Sequence, residues 1–253
     1  MSAFAPDHAG AQTRFSPNVE PRRDGKRADM LLLHYTGMET GQAAEDWLCN
    51  PQSGVSCHYI VHEDGCIVQM APESLRAWHA GASFWAGETD NNSRSIGIEI
   101  VNGGHDYGLP SFPDAQMQAV IALCSDIIAR NGIAAERVLA HSDIAPRRKR
   151  DPGERFDWAL LADAGIGHYV QPAPAGGGRF FGEGDSGQPV EALQAMLALY
   201  GYDCPVTGAF DAHTAMVVRA FQRHFRPARV DGVADASTIE TLHRLLTALP
   251  ALA

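Results

Sequence analysis

The chain has few cysteines and no long apolar run, and both shortages exclude classes of protein. Its five cysteines are an odd number without Cys-x-x-Cys spacing, so the sequence indicates neither a disulfide framework nor a cysteine zinc site. No run approaches the roughly 20 apolar residues that a membrane-spanning helix needs. With 45% hydrophobic and 20% charged residues, the 253-residue chain has the composition of an ordinary soluble globular protein with reduced thiols.

Positive charge is also scarce. The formal net charge is -10 and the pI is near 5.5, whereas proteins that bind nucleic acid rely on a basic surface to neutralise phosphates. We therefore expect no nucleic-acid partner. One local basic cluster runs from Arg147 to Arg150, and its arginines are equally consistent with a solvated loop.

The N-terminal 25 residues are polar and rich in Pro, Asp and Gly. They contain no apolar stretch after a basic start and no lipobox cysteine. Together with the odd number of cysteines, this predicts a cytoplasmic location, with the periplasm or cell envelope as the alternative.

Composition divides the chain into four parts. Residues 1–28 are predicted to be an irregular segment, and residues 29–168 a large domain. The tract QPAPAGGG at residues 171–178 cannot hold regular structure well, so we predict a linker at 169–182. Residues 183–253 contain three helical patterns, which predict a small three-helix domain.

The large domain alternates strand and helix patterns. Strands are predicted at 30–34, 94–101 and 138–141, a hairpin around Glu63-Asp64-Gly65, and helices at 42–49, 113–131 and 158–161. This order is typical of an α/β fold with a mixed central sheet flanked by helices.

Two histidines directly follow short apolar runs, LLLHYTG and LAHSDIAP. Each would lie at the end of a buried strand, where open α/β sheets place their chemistry. With Asp151, His34 and His141 would furnish two imidazoles and a carboxylate, which leaves a fourth zinc position open, as in catalytic sites. A single strand-end histidine is more often structural, and Asp151 before Pro152-Gly153 could be a turn residue.

The set His-Tyr-Thr, His-Ser-Asp-Ile-Ala-Pro and Lys-x-Asp-Pro-Gly, in this order, resembles the zinc-dependent N-acetylmuramoyl-L-alanine amidases of the amidase type 2 family, especially its AmpD and AmiD branch. The resemblance covers residues 29–163. It implies Zn²⁺ as cofactor, held by His34, His141 and Asp151. It also implies hydrolysis of the amide between the lactyl group of N-acetylmuramic acid, or its 1,6-anhydro form, and L-alanine, in peptidoglycan turnover or recycling.

Glu99 interrupts the apolar run SIGIEIVN. A carboxylate in a buried run pays a desolvation cost and would have a raised pKa unless it is paired. Because strand side chains alternate, Glu99 lies on the face opposite Ile98 and Ile100, and that face could instead be solvent-exposed. The resemblance implies that Glu99 is the general base.

Lys149 precedes Asp151 by two residues, which in an extended turn puts both side chains on the same side. We expect its ammonium group to stabilise the oxyanion that forms as the amide is attacked. A surface lysine without a special role is the alternative.

Four further residues adjoin these motifs and are predicted to contact substrate: Tyr35, Trp78, His79 and Asn102. The loop that follows residue 77 is aromatic and resembles the family's wall of the substrate groove, although Trp78 could equally be core packing. His58 is more often a buried structural histidine at such a position, and we do not expect it to be a ligand.

The C-terminal segment resembles the small peptidoglycan-binding domain of cell-wall hydrolases, through GxxVxxLQxxL, Gly201-Tyr202, Gly208-x-Phe210-Asp211 and Asp231-Gly232. Two Asp-x-x-Thr sequences, at Asp211 and Asp235, are predicted to be helix caps. The expected partners are thus peptidoglycan or soluble muropeptides. A peptidoglycan binder without catalysis is the alternative function.

Overall fold

The structure, a computed structural model, describes residues 4–174 and 180–249. The tract at 171–178 that we predict as the domain boundary lies partly outside these residues. The described strands are β1 Gln12–Thr13, β2 Val19–Pro21, β3 Met30–Tyr35, β4 Tyr59–Val61, β5 Ile67–Gln69, β6 Leu75–Ala77, β7 Ser95–Ile100 and β8 Val138–Ala140. The α-helices are α1 Gly41–Leu48, α2 Asn91–Arg94, α3 Asp114–Asn131, α4 His141–Ile144, α5 Trp158–Asp163, α6 Gln188–Tyr200, α7 Ala212–Phe225 and α8 Ala236–Ala248, with 3₁₀ turns at Arg23–Gly25, His105–Tyr107 and Ala135–Arg137.

A six-stranded sheet in the order β1-β5-β4-β7-β3-β8 forms the centre of the fold. Only the hairpin pair β4-β5 is antiparallel, and the other neighbours are parallel. The predicted α/β class with a mixed central sheet and flanking helices is therefore confirmed. Among the described helices, none has both the length and the apolar character needed to cross a membrane.

Alternation along β3 and β7 gives the sheet two apolar faces. On one face, Leu31, Leu33 and Ile98 pack against the apolar side of the long helix α3. On the other face, Met30 and Leu32 belong to a cluster with residues of the C-terminal helices. The predicted three-helix segment thus shares a hydrophobic core with the sheet.

Asp143 joins the C-terminal helices to the sheet by hydrogen bonds. Its carboxylate is fully buried and accepts from the Ala140 N–H (2.8 Å), from the Tyr202 hydroxyl (2.7 Å) and from His224 Nδ1 (2.7 Å). The His224 ring stacks on Trp158 with 3.7 Å between ring centroids. A buried carboxylate needs such donors, so both halves of the molecule complete this network.

Several element ends follow from identifiable caps. The side chain of Thr40 accepts from Ala43 N–H at the start of α1, and Asp211 and Asp235 accept from Thr214 and Thr238 N–H at the starts of α7 and α8. The two predicted Asp-x-x-Thr caps are confirmed. They satisfy N–H groups that have no partner within the helix.

Several predicted boundaries differ from the structure. His141 begins α4 instead of ending β8, because the Asp143 carboxylate accepts the Ala140 N–H and turns the chain there. Arg94 ends α2 and is not part of β7. Residues 1–28, predicted to be irregular, contain β1 and β2, which pair with β5 and β6; strands of two and three residues are too short to leave a pattern in the sequence.

We expect Tyr202→Phe to lower the free energy of unfolding by about 1–3 kcal/mol, because Asp143 stays buried and loses one of its donors. Tyr107→Phe is the matched control, since Tyr107 is 56% exposed and its loss should change stability little. Denaturant unfolding of the full chain measures both. Equal stability of the two variants would contradict a stabilising role for the Tyr202 hydrogen bond.

Candidate metal centre

Three ligand atoms from distant parts of the sequence converge at the edge of the sheet. His34 Nδ1 lies 2.8 Å from His141 Nδ1 and 3.1 Å from Asp151 Oδ2, and His141 Nδ1 lies 2.9 Å from Asp151 Oδ2. Within the described residues, this triad is the group that could hold a metal ion. Bonds of 2.0–2.1 Å at tetrahedral angles put zinc ligands about 3.3 Å apart, close to these separations.

The second ring nitrogen of His141 is hydrogen-bonded to the backbone. His141 Nε2 lies 3.1 Å from the carbonyl oxygen of Ala80, which can only accept, so Nε2 carries the proton. The lone pair of a neutral imidazole is then on Nδ1 and faces the triad. A carbonyl partner of this kind fixes both the tautomer and the ring orientation of a metal-binding histidine.

His34 is oriented by a chain of three partners. The Ser95 hydroxyl donates to the Asn91 carbonyl oxygen (2.6 Å), and Ser95 Oγ lies 3.3 Å from His79 Nε2. His79 Nδ1 in turn lies 3.1 Å from His34 Nε2. Because the serine proton is used, His79 Nε2 donates to Ser95, His79 Nδ1 accepts from His34 Nε2, and the His34 lone pair is left on Nδ1.

The triad therefore presents three acceptor atoms to one point. Burial is the main cause that lowers the pKa of His34 to about 4, so this imidazole is neutral. Two imidazole nitrogens and a carboxylate oxygen that face one another at such short distances can share one cation, so the residues fit a divalent metal ion.

Glu99 lies beside the triad. In the parallel register of β3 and β7 it is directly opposite His34, so both side chains leave the sheet on the same face. Its Oε2 is buried and has no hydrogen-bond partner among the described residues. Burial, and secondarily the charge of Asp151, raise the pKa of Glu99 well above the usual value, which is typical of functional carboxylates.

A groove of about 380 Å³ reaches two of the three triad residues, His141 and Asp151. Glu99, Lys149 and apolar residues of α1 and of the loops around it, among them Trp47, also line this groove. Lys149 forms no ion pair with the described residues, and its positive charge lowers the pKa of both Glu99 and His34. Its ammonium group is therefore close to the triad and available to a ligand.

The predicted substrate contacts separate into two groups. Tyr35, Trp78 and His79 line the groove; the Tyr35 hydroxyl is 3.0 Å from His105 Nδ1, and Trp78 Nε1 is buried without a partner in the described chain. Asn102 does not line the groove. Its amide group donates to the Pro110 carbonyl and its Oδ1 accepts from Gly104 N–H, so it holds the loop that follows β7.

His58 is a structural histidine, as expected. It is fully buried, its Nδ1 accepts from Gly97 N–H, and its Nε2 lies 3.1 Å from the Leu75 carbonyl oxygen.

Two residues that line the groove, Trp47 and Arg148, were not predicted from the sequence to contact substrate. Arg148 donates to the Ala80 carbonyl, the same oxygen that orients His141, and no pattern in the sequence distinguishes it from its arginine neighbours.

The family profile of N-acetylmuramoyl-L-alanine amidases matches residues 24–154, more than half of the chain. The chain belongs to this family. The expected enzyme class is thereby confirmed: the protein is a hydrolase of the N-acetylmuramoyl-L-alanine amidase type. A second profile, described as a putative peptidoglycan binding domain, matches residues 186–242 of this amidase, where the C-terminal resemblance predicted it.

The names of similar proteins agree with this family assignment. The amidase is 40% identical to N-acetylmuramoyl-L-alanine amidase AmiD of Escherichia coli over 236 residues, 87% of this chain and 83% of AmiD. It is 34% identical to 1,6-anhydro-N-acetylmuramyl-L-alanine amidase AmpD of Citrobacter freundii, over 57% of this chain and 84% of AmpD.

Solved structures give the same result for the fold. The structure of E. coli AmiD with the substrate anhydro-N-acetylmuramic acid-L-Ala-D-gamma-Glu-L-Lys matches with a TM-score of 0.76 and 37% identity, over 90% of this chain and 92% of that one. AmpDh3 of Pseudomonas aeruginosa matches with a TM-score of 0.75 and 31% identity, over 92% and 96% of the two chains. The match to both extends over the catalytic and C-terminal parts of the amidase.

We expect Glu99→Gln to stabilise the metal-free amidase at neutral pH. A raised carboxyl pKa means that the stability of the native state is fully present below the unfolded-state pKa, about 4.3, and is lost as pH rises toward the folded-state pKa. The neutral amide avoids this loss. The difference in unfolding free energy between variant and native protein should therefore grow from pH 4 to pH 7.

Denaturant unfolding at several pH values, in the presence of chelator, measures this difference. Glu63→Gln removes the same charge from an exposed position and serves as control, with a small and nearly pH-independent effect. A Glu99→Gln curve parallel to that control would show that the buried carboxylate carries no desolvation cost.

Proposed function

We propose that this amidase hydrolyses the amide bond between the lactyl group of N-acetylmuramic acid, or its 1,6-anhydro form, and L-alanine of the stem peptide, and that zinc is its metal. The observation that carries the proposal is the convergence of His34, His141 and Asp151 on one point. The second nitrogen of each imidazole is hydrogen-bonded elsewhere, to the Ala80 carbonyl or to His79. The names of the AmiD and AmpD relatives support the same bond, in intact or 1,6-anhydro muropeptides.

The triad would hold the ion through two nitrogens and one oxygen, the donor set of hydrolytic zinc sites. Zinc at this position would supply a Lewis acid for activation of water and polarisation of the amide carbonyl. Burial keeps the triad in one arrangement, since His34, His141 and Asp151 are each at most 5% exposed. The three side chains therefore lose little conformational entropy when they bind an ion.

Glu99 moves the proton. Its unpartnered Oε2 is beside the triad, so it can accept a proton from the attacking water and return it to the nitrogen of the departing L-alanine. Lys149, which also lines the groove and forms no ion pair in the described chain, donates to the oxygen that becomes negative as the carbonyl is attacked. These are general acid–base and electrostatic contributions, each provided by one side chain.

Removal and return of the metal tests the proposal. Chelation should abolish release of peptide from N-acetylmuramoyl-L-Ala-D-isoglutamine, and zinc should restore it. Glu99→Gln should retain one bound metal ion and lose about 10²–10⁴-fold in kcat, and Lys149→Met should lose about 10²–10³-fold. Metal content by mass spectrometry and product release by chromatography are the two measurements.

Asp151→Asn is the matched control for metal content, because it removes a ligand charge while keeping the shape of the side chain. It should bind zinc more weakly, whereas Glu99→Gln should not. A metal-replete native protein that binds the muropeptide without turnover would overturn the proposal in favour of a non-catalytic peptidoglycan binder.

We also propose that the protein acts in the cytoplasm. All five cysteines are free thiols and three are buried, which supports a reducing compartment. The C-terminal peptidoglycan-binding segment supports the alternative, the periplasm or cell envelope. Fractionation of cells that produce the protein from its native gene decides: activity should be recovered with cytoplasmic markers, and recovery with periplasmic or envelope markers would contradict the proposed location.

A further inference from the structure

A basic cleft lies between the loop that follows α4 and the C-terminal helix α7. Its volume is about 270 Å³. Six of its eight lining residues carry a positive charge: Arg147, Arg148, Lys149, Arg150, Arg219 and Arg223. The chain as a whole has a net charge of -10, so this concentration of one sign is a local feature of the cleft.

The cleft adjoins the active-site groove. Arg148, Lys149 and Arg150 line both. From the other side, α7 contributes Arg219 and Arg223 to the cleft, and these residues are four apart and therefore share one helix face. Helix α7 of the C-terminal segment thus supplies part of the wall of a cleft next to the groove.

Few of these charges are neutralised by the protein. Arg150 Nη2 lies 3.0 Å from Asp106, and Arg223 Nε lies 3.7 Å from Glu154, beyond hydrogen-bond distance. Arg147 and Arg148 contact neutral acceptors, the His213 ring and backbone carbonyls. Within residues 4–174 and 180–249, Arg219 has no ion-pair partner, and the Arg223 Nε is buried without a hydrogen bond.

This arrangement costs folding free energy. Burial is the main cause that lowers the pKa of Arg223, and the nearby charges of Arg150 and Arg219 lower it further, against the opposing effect of Glu154. Like charges held around a partly buried cleft repel one another. An anionic ligand with planar, paired oxygens would offset the repulsion and match the guanidinium geometry.

We propose that the basic cleft binds the carboxylates of the stem peptide beyond the hydrolysed bond, through Arg219 and Arg223 of the C-terminal segment. This inference rests on the proposed function, which places the lactyl–alanine amide beside Lys149. A stem peptide that continues from this point along the residues shared by groove and cleft reaches Arg219 and Arg223. A γ-linked glutamate at the second peptide position keeps its α-carboxylate free, so the peptide reaches the cleft as an anion.

The test compares two substrates that differ in one group, the α-carboxyl of the second residue. The acid is N-acetylmuramoyl-L-Ala-D-γ-Glu-L-Lys amide, in which this group is a free carboxylate, and the amide is N-acetylmuramoyl-L-Ala-D-isoglutaminyl-L-Lys amide, in which it is a carboxamide; in both, the γ-carboxyl is linked to lysine. For the double variant Arg219→Gln, Arg223→Gln, KM of the acid should rise about tenfold or more, because charge-assisted hydrogen bonds to the carboxylate are lost. KM of the amide should change by less than about twofold, and kcat should change little for either substrate. Arg219→Gln alone, which breaks no ion pair, should give part of the effect if the double variant folds poorly.

The matched control is Arg229→Gln with Arg244→Gln. It removes two charges from the same segment, at residues that pair with Asp231 and Glu240 and do not line the cleft. It should leave the acid-to-amide KM ratio at the native value. A cleft variant with a native ratio would overturn the inference, as would one that raises both KM values equally.

A binding measurement separates this inference from the proposed function. Calorimetry with the free dipeptide L-Ala-D-γ-Glu and metal-free protein needs no turnover, and the cleft variant should bind it about tenfold more weakly than the control does. Inorganic phosphate is the second probe. If the cleft variant loses phosphate binding but keeps dipeptide binding, the cleft is a phosphate site and the inference is wrong, whether or not the native protein cleaves either substrate.

Discussion

Parallel pairing of β3 with β7 and β8 determines where the chemistry of this amidase lies. His34 is opposite Glu99 in the β3–β7 register, and Leu33 is opposite Ala140, the residue before His141. A shift of the β3 register by one residue would turn His34 toward the face that α3 covers and bring Leu33 to the triad. His34 itself opposes that shift, because its imidazole would exchange the contact with His79 for an apolar core. Core packing and ligand placement therefore depend on the same register.

The C-terminal helices cover the sheet face that carries the active site. Met30 and Leu32, on the same side of β3 as His34, are fully buried in the cluster that includes residues of α6, α7 and α8. The Asp143 network ends two residues from His141 and takes donors from both Tyr202 and His224. The peptidoglycan-binding segment therefore packs against the part of the sheet that carries the triad, in addition to any contact that it makes with the cell wall.

Local patterns in the sequence were sufficient for most elements and for the triad. Strands buried on both sides, helices with one apolar face and Asp-x-x-Thr caps are encoded within a few residues, and the order of the three ligand motifs is specific. Contacts across the fold were not encoded in this way. The role of His79 depends on its approach to His34. Arg223 lines the basic cleft only because α7 packs against α4. Neither short-range spacing nor composition contains these distances. Asn102 is the opposite case. It follows β7, the strand that carries Glu99, but its side chain donates to the Pro110 carbonyl of its own loop and does not line the groove.

Glu99 shows why a catalytic centre of this kind is costly to fold without its metal. The carboxylate is buried, unpartnered at Oε2 and close to the negative charge of Asp151, and each of these conditions disfavours its ionised form. A hydrogen-bond donor in the protein would relieve the cost, but it would occupy the oxygen that accepts the proton in the proposed reaction. Lys149 offsets part of the charge without forming an ion pair, and a divalent cation at the triad would offset more. A cation at the triad would thus also favour the ionised form of Glu99. In the proposed reaction this form is the general base, so metal binding and the basicity of Glu99 would be coupled through electrostatics.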